Sequence, residues 1–393
     1  MKATSARLVP PHGGVLKPLL LQGKEQYEEL QRTKYLLQVP INSKETSDIV
    51  MLAIGAFSPL DGFMVRHDYL SVVEQMELTN GVLWPMPVTV AVTRELSDKI
   101  LIGQDVALID KDSNETMAVM KVEDKYPYDR TKEALKVFGT DDKKHPGVQR
   151  IYSQDGFYLG GPIKVLSKGR YPEQFSEFAD PNETRKIFSE RGWSTIAAFQ
   201  TRNPIHRSHE YLIKIAIEVS DGVFIHPIVG ALKSGDIPAK VRIKCYKVLI
   251  GRYLPLERVV MKVYPMEMRY GGPREAVLHA IIRQNFGCSH MIIGRDHAGV
   301  GNYYRPFDAQ EIFEQLNPGA LQITPLKLDW TFWCYKCGEM ASMKSCPHNM
   351  NDRLLISGTE LRTMLSAGCR PPDQFSRPEV LEILLDYYRN NKE

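Results

Sequence analysis

A chain of 393 residues, 43% hydrophobic and 25% charged, has the composition of a soluble globular protein and is too long for one ordinary core, which predicts two or three domains. Its 50 Lys and Arg against 47 Asp and Glu leave a net charge of +3. That is far from the basic excess of nucleic-acid binders, so a small anionic ligand held by a local cluster is expected, with no nucleic-acid partner.

The opening MKATSARLVPPHGGVLKPLLLQGKE lacks a long apolar run and carries an early Pro-Pro, which argues against a signal peptide. No run of about eighteen apolar residues follows, so no membrane partner is expected. Helical pieces around Lys44–Ala56 and Asp68–Met76 give way to short β-rich runs at Pro87–Thr93, Val106–Asp110 and Met117–Val122, bounded by turn residues. These suggest a small, mostly β domain of barrel type. The stretch GAFSPLDGFM, Gly55 to Met64, reads as a structured packing loop.

From about residue 170 the pattern alternates. Strands are expected at Ser194–Gln200, Val223–Val229, Arg258–Tyr264, His290–Ile293 and Leu321–Leu328, with helices near 206–220, 239–252, 273–286 and 308–316. Such alternation predicts a parallel sheet with helices on both faces. Ligands in these folds bind beyond the carboxyl ends of the strands, where Gln200 and Gly294 both stand, so their loops can converge on one site.

The first loop is QTRNPIHRSH, Gln200 to His209. An Arg, an Asn and two His at a helix start suit phosphate, because the first helical amides lack internal partners and carry the positive end of the dipole. His206 and His209, three apart, share one helix face. The bland reading is a cap and a shaped turn, to which Pro204 contributes. The second loop is GRDHAGVG, Gly294 to Gly301, whose glycines would let backbone amides approach an anion and whose Arg295 offers a planar fork.

With QTRNPIHRSHEYL, GRDHAGVG, the early GAFSPLDGFM and the late ISGTELR in this order, the chain closely resembles the ATP sulfurylase (sulfate adenylyltransferase) family over most of its length. The resemblance implies a PUA-like β-barrel domain at 1–168, a Rossmann-like nucleotidyltransferase α/β domain at 169–328, and a small C-terminal region at 329–393. It implies AMP transfer from ATP to sulfate, giving adenosine 5′-phosphosulfate and pyrophosphate. HRSH is similar to the HxGH phosphate motif, with Ser208 where Gly is usual. ISGTELR, residues 356–362, is similar to a phosphate motif of the same superfamily, yet Ser357 and Glu360 also have the spacing of a helix capping box.

By resemblance, Arg202 clamps sulfate, with Gln200 and the backbone around Ala298 completing the pocket. Thr201, Arg202 and Asn203 match the family's active-site residues. Asn203 would touch an α-phosphate oxygen and Thr201 would orient the loop or leaving group. His206 and His209, together with Gly294, Arg295, Asp296 and His297, would hold the nucleotide. Sulfate is already deprotonated at neutral pH, so attack on the α-phosphorus needs positioning and electrostatic help rather than a base. Mg²⁺ is expected on the triphosphate through water and phosphate oxygens. A homodimer is expected.

Cys334-x₂-Cys337-x₈-Cys346-x-His348 offers the tetrahedral set of a structural Zn²⁺ site, with unmetallated thiols as the alternative. Cys245, Cys288 and Cys369 are scattered, as reduced thiols are, which suits a cytoplasmic home. No G-x₄-G-K-[ST] loop occurs, so a fused adenylylsulfate kinase is not supported. Two rival readings stand beside the favoured one. One is a nucleotidyltransferase with a different acceptor; the other is an RNA-binding module, given a PUA-like barrel and a zinc knuckle.

Overall fold

The computed structural model describes residues 7–230, 236–356 and 358–391. The first part of the chain is organised by one long strand, Phe157–Val165. It pairs antiparallel with Gly62–Phe63, Val90–Val92, Thr116–Lys121 and Asp124–Pro127. Thr116–Lys121 in turn pairs with Asp105–Asp110, which runs parallel to Leu37–Ile41. A strand shared by so many partners must bend, and the sheet curls around it. Gly161 makes the bend possible: at φ +147°, a Cβ there would lie 2.1 Å from the Lys121 carbonyl oxygen.

The helix Ser43–Ala53 starts where Asn42 and Glu45 form a reciprocal capping box. It carries Asp48, buried and paired at 2.5 Å with the equally buried Arg269 from the later half. The GAFSPLDGFM loop does packing work at the same seam. The carbonyls of Ala56 and Ser58 accept hydrogen bonds from Asn285 Nδ2 at 2.9 and 3.0 Å. One apolar core therefore runs through both halves, joining Phe57 and Trp84 to Leu278 and Ile282.

The later half holds five parallel strands, which we number within this sheet: β1 Ile196–Phe199, β2 Gly222–Ile225, β3 Val259–Met261, β4 His290–Ile293 and β5 Thr324–Lys327. Across the sheet they lie in the order β3-β2-β1-β4-β5. Helices α1 Arg207–Glu218, α2 Ala239–Tyr253 and α3 Gly272–Asn285 complete the crossovers. The period of two along β1 divides them. Ala197 and Phe199 pack with Leu212, Ile213 and Leu249 of α1 and α2, whereas Ile196 and Ala198 pack with Val277 and Ile281 of α3. Helices cover both faces, as the alternation predicts.

The strands are shorter than their apolar runs. At the start of β1, the Asp221 carboxylate accepts from the amides of Ser194 and Thr195 at 2.9 and 2.8 Å and so ends the ladder. The helix expected at 308–316 is one α turn, Asp308–Glu311, followed by a 3₁₀ turn, Ile312–Glu314. Phe307 offers no side-chain cap to it, and Asn317-Pro318 stops it.

Beyond β5 lies a three-stranded antiparallel sheet with Thr331–Cys334 at its centre, between Glu339–Ser342 and Arg353–Leu354. Two helices follow, Gly358–Ser366 and Pro378–Asn390. Val380, Leu384 and Leu385 of the last helix join the α1–α2 core, and Arg377 grips Glu210 of α1 at 2.6 and 2.8 Å. Among the described residues, no helix is long and apolar enough to cross a membrane.

Candidate active site

The strand order reverses between β1 and β4, which lie side by side. The loops leaving their carboxyl ends must diverge around a crevice, the general ligand position in such sheets. A cleft of ≈ 720 Å³ opens there. Gln200, Thr201, Arg202, Asn203, His206 and His209 line it from the first loop; Gly294, Arg295, Asp296, His297 and Ala298 line it from the second.

Within the first loop, Thr201 Oγ1 accepts the Asn203 amide at 3.1 Å, and the Asn203 carbonyl accepts the Tyr246 hydroxyl at 3.2 Å. These bonds hold the turn that delivers His206 as the extended N-cap of α1. Arg202 lies 5.2 Å from the Tyr270 ring, and its buried Nη1 has no hydrogen-bond partner. An unpaired guanidinium N–H in a cleft wall is costly unless an anion meets it.

The rings of His206 and His209 are 3.8 Å apart, and each has a buried Nδ1 without a partner. Burial pulls His206 down to about 4, and burial together with His206 pulls His209 well below the ordinary imidazole value. Both are neutral at physiological pH, so they can offer hydrogen bonds to an anion but no positive charge.

His206 binds its proton near 6.5 when free and near 4 in the fold, so the unfolded chain takes up more protons as pH falls. Stability from this group is complete above about 6.5 and drains away towards 4. The thermal midpoint should drop between pH 7.5 and pH 5, and His206→Asn should narrow that drop. An equal drop in the variant would absolve this histidine.

In the second loop the left-handed backbone does not begin at its first glycine. Gly294 faces open space with no left-handed backbone, and the left-handed conformation falls instead on Asp296 (φ +57°) and Ala298 (φ +55°), as well as Gly301. A left-handed alanine is strained, and the strain is held in place: the Ala298 carbonyl accepts the Gly272 amide at 3.1 Å. Gly272 itself, at φ +49°, lies so close to Tyr304 that a Cβ would meet the ring at 2.7 Å. Arg295 lies 4.5 Å from the Trp330 ring and 3.0 Å from the Asp296 carboxylate.

The three-stranded module supplies the third wall, through Trp330, Phe332 and Trp333. Arg207 stands 5.7 Å from Trp333, so each loop leans an arginine on a tryptophan of this module. Ser208 is explained here: its hydroxyl donates to the Thr331 carbonyl at 3.2 Å, tying α1 to the module in a way glycine cannot. Sequence reasoning missed these aromatic residues, along with Tyr270 and a buried pair on α3, Glu275 and His279. A signal for the pair existed, since residues four apart share a helix face.

Of ISGTELR, Ile356 and Glu360 line the cleft, and Arg362 lies 3.9 Å from Asp236. Ser357 lies outside the described residues, and with it the expected capping box.

Cys334, Cys337, Cys346 and His348 do converge, with all ligand atoms within 4.8 Å of one another. Cys337 Sγ and Cys346 Sγ are 3.8 Å apart, and His348 Nδ1 lies 3.3 and 3.2 Å from the sulfurs of Cys334 and Cys337. Zn–S bonds of ~2.3 Å in a tetrahedron place sulfurs about 3.8 Å apart, so the group could hold zinc. It is the one such cluster among the described residues.

A family model described as PUA-like domain matches residues 9–168, and one described as ATP-sulfurylase matches residues 177–387. The curled N-terminal sheet is thus PUA-like. The chain is 55% identical over 384 residues to a sulfate adenylyltransferase of Pelodictyon phaeoclathratiforme, covering 97% of this chain and 95% of that one. It is 56% identical over 384 residues to one of Chlorobaculum tepidum, with the same coverage of 97% and 95%. A solved structure described as the hexameric APS kinase from Thiobacillus denitrificans superposes with a TM-score of 0.78 at 24% identity, over 98% of this chain and 69% of that chain. At that identity the likeness is one of fold.

Proposed function

Because the chain belongs to the ATP-sulfurylase family and is an enzyme transferring the adenylyl group of ATP to sulfate, we propose that it does so by direct in-line attack of an arginine-held sulfate on the α-phosphorus, without a covalent intermediate. The supporting observation is the meeting of the two loops at the sheet's reversal point, with the unpaired Nη1 of Arg202 in the cleft wall.

Arg202, Gln200 and the backbone at Ala298 hold sulfate. Asn203 takes an α-phosphate oxygen, and Thr201 keeps the turn in shape. His206 and His209 donate to the bridging oxygen and the departing pyrophosphate, aided by the positive end of α1. Gly294, Arg295, Asp296 and His297 hold the nucleotide. Both reactants are anions, so bringing them together against their repulsion is the main task. Both begin fully deprotonated where it matters, so no residue is needed as a general base.

Guanidinium and imidazole groups in the cleft suit phosphate oxygens, and its carboxylates, Asp296, Asp329 and Glu360, form no three-ligand metal cluster among the described residues. Mg²⁺ bound to the triphosphate, mostly through water and phosphate oxygens, would supply charge neutralisation for the pyrophosphate. Cys334, Cys337, Cys346 and His348 would hold a structural zinc ion, with four protein ligands leaving no position for substrate. For the domains we propose boundaries at 168/169 and 328/329, for the assembly a homodimer, and for the compartment the cytoplasm, where unpaired thiols such as Cys245 and Cys288 persist.

Exchange of labelled pyrophosphate into ATP tests the reaction. Label should enter ATP only when adenosine 5′-phosphosulfate is formed, so exchange should require sulfate. Exchange that proceeds equally without sulfate would reveal an adenylyl-enzyme and overturn direct attack.

A further inference from the structure

The buried pair on α3 stands at the point where the two loops meet. His279 and Glu275 are both fully buried. The Glu275 carboxylate accepts the Arg269 amide on Oε1 and the Gly271 amide on Oε2, each at 2.9 Å. Burial pushes this carboxyl up, but His279 and those amides outweigh it and hold Glu275 below its usual range. It is therefore ionised. His279 Nε2 lies 3.4 Å from Oε1, off the line of an ideal hydrogen bond and with no other partner.

An anion on that side decides the tautomer of a neutral imidazole: the proton sits on Nε2, facing the carboxylate. Nδ1 is then a pure acceptor. Two groups point at it. Gln200 Nε2, from the first loop, and His297 Nε2, from the second, each lie 3.1 Å away and share its one lone pair, His297 donating as its Nε2–H tautomer. A carbonyl oxygen could not occupy the position that Gln200 Nε2 takes, so the orientation of the Gln200 amide is fixed by a group it shares with the opposite loop.

We propose that Glu275 and His279 form a positioning relay that sets the Gln200 amide for its anionic substrate and fastens the two loops to each other through His297. One N–H of Gln200 is spent on His279, leaving the second for an oxyanion. A free amide would rotate and present its oxygen to sulfate about as readily, which repels the ligand. Pre-setting the amide removes that wasted orientation before substrate arrives. Neither residue touches substrate; each acts through the side chain it holds.

The inference rests on the proposed sulfate site, and a double-mutant cycle separates the two. Wild type, Gln200→Met, His279→Gln and the double variant are compared by initial rates of sulfate-dependent pyrophosphate release, with KM for each substrate. His279→Gln keeps a group towards Glu275 and loses the acceptor at Nδ1, so the sulfate KM should rise ~10-fold, the size expected for one hydrogen bond to a charged ligand.

If His279 works through Gln200, the double variant should have a sulfate KM within ~2-fold of Gln200→Met alone. His279→Asn, which keeps an acceptor near the Nδ1 position, should recover most of the loss. Because KM does not depend on how much of a preparation is folded, a poorly folding variant still reports. Multiplying KM rises in the double variant would overturn the relay, as would His279→Asn performing no better than His279→Gln. A wild type without sulfate-dependent turnover would instead overturn the function itself.

Discussion

Arg202→Ala should lower sulfate-dependent turnover by about 10³-fold, the loss seen when a site forfeits a principal oxyanion donor. The structure explains both the size and the selectivity of this effect. The guanidinium lies beside the Tyr270 ring with one buried N–H unpaired, so it contributes a fixed positive group at no cost of rearrangement during the reaction. Removing it relieves an unsatisfied buried donor, so the thermal midpoint should hold or rise slightly. Arg202→Lys should recover little, because an ammonium cannot reproduce a planar fork set against a ring. Molybdate-dependent release of AMP from ATP is the convenient reading, with the midpoint measured in parallel. An alanine variant that releases AMP at near wild-type rates would remove the arginine from the chemistry.

Removing metal from the cysteine cluster should have the other large effect. The three-stranded module has almost no apolar core of its own: Phe332 and Ala341 are joined there chiefly by Cys334, Cys337 and Cys346, three of the residues that could hold zinc. A structural zinc contributes on the order of 10 kcal/mol in such small units, so the module should not persist without it. With it would go Trp330, Phe332 and Trp333, one wall of the cleft, and the rings on which Arg295 and Arg207 lean. Chelation or Cys346→Ser should weaken nucleotide binding at least ~10-fold, since several contacts of 1–2 kcal/mol are lost together. Two of the 4 tryptophans stand in this module, so their fluorescence should report the collapse directly. Metal analysis should find one zinc per chain. A metal-free preparation with unaltered nucleotide affinity would refute the dependence.

The sequence was most legible where chemistry is contiguous. Gln200 to His209 and Gly294 to Gly301 each form one unbroken loop after an apolar run, so motif and location could be read together. The helices on both faces of the sheet follow from the alternation of strands and helices, and the cysteine cluster from spacing alone. What escaped is contributed across the fold. Tyr270, Trp330 and His279 stand in stretches with no chemical motif of their own, and only packing brings Trp330 to the cleft wall and the other two against Arg202 and Gln200. The second loop shows a finer limit: its glycines suggested where backbone could approach an anion, but not that Asp296 and Ala298 would be left-handed, Ala298 with its carbonyl bonded to the distant Gly272 amide. The turn at Asp308–Glu311 was overextended because its apolar spacing says nothing of the missing cap.

The order in which the cleft is assembled has a consequence for synthesis. Both reactive loops leave the ribosome well before Trp330, and Phe375, whose carbonyl accepts the Arg207 amide at 3.1 Å, is made later still. A nascent chain that has folded through β5 thus carries its reactive groups on an unroofed platform. The cleft is closed only once Phe375 has been made, so a chain halted before it would keep both loops on an open platform.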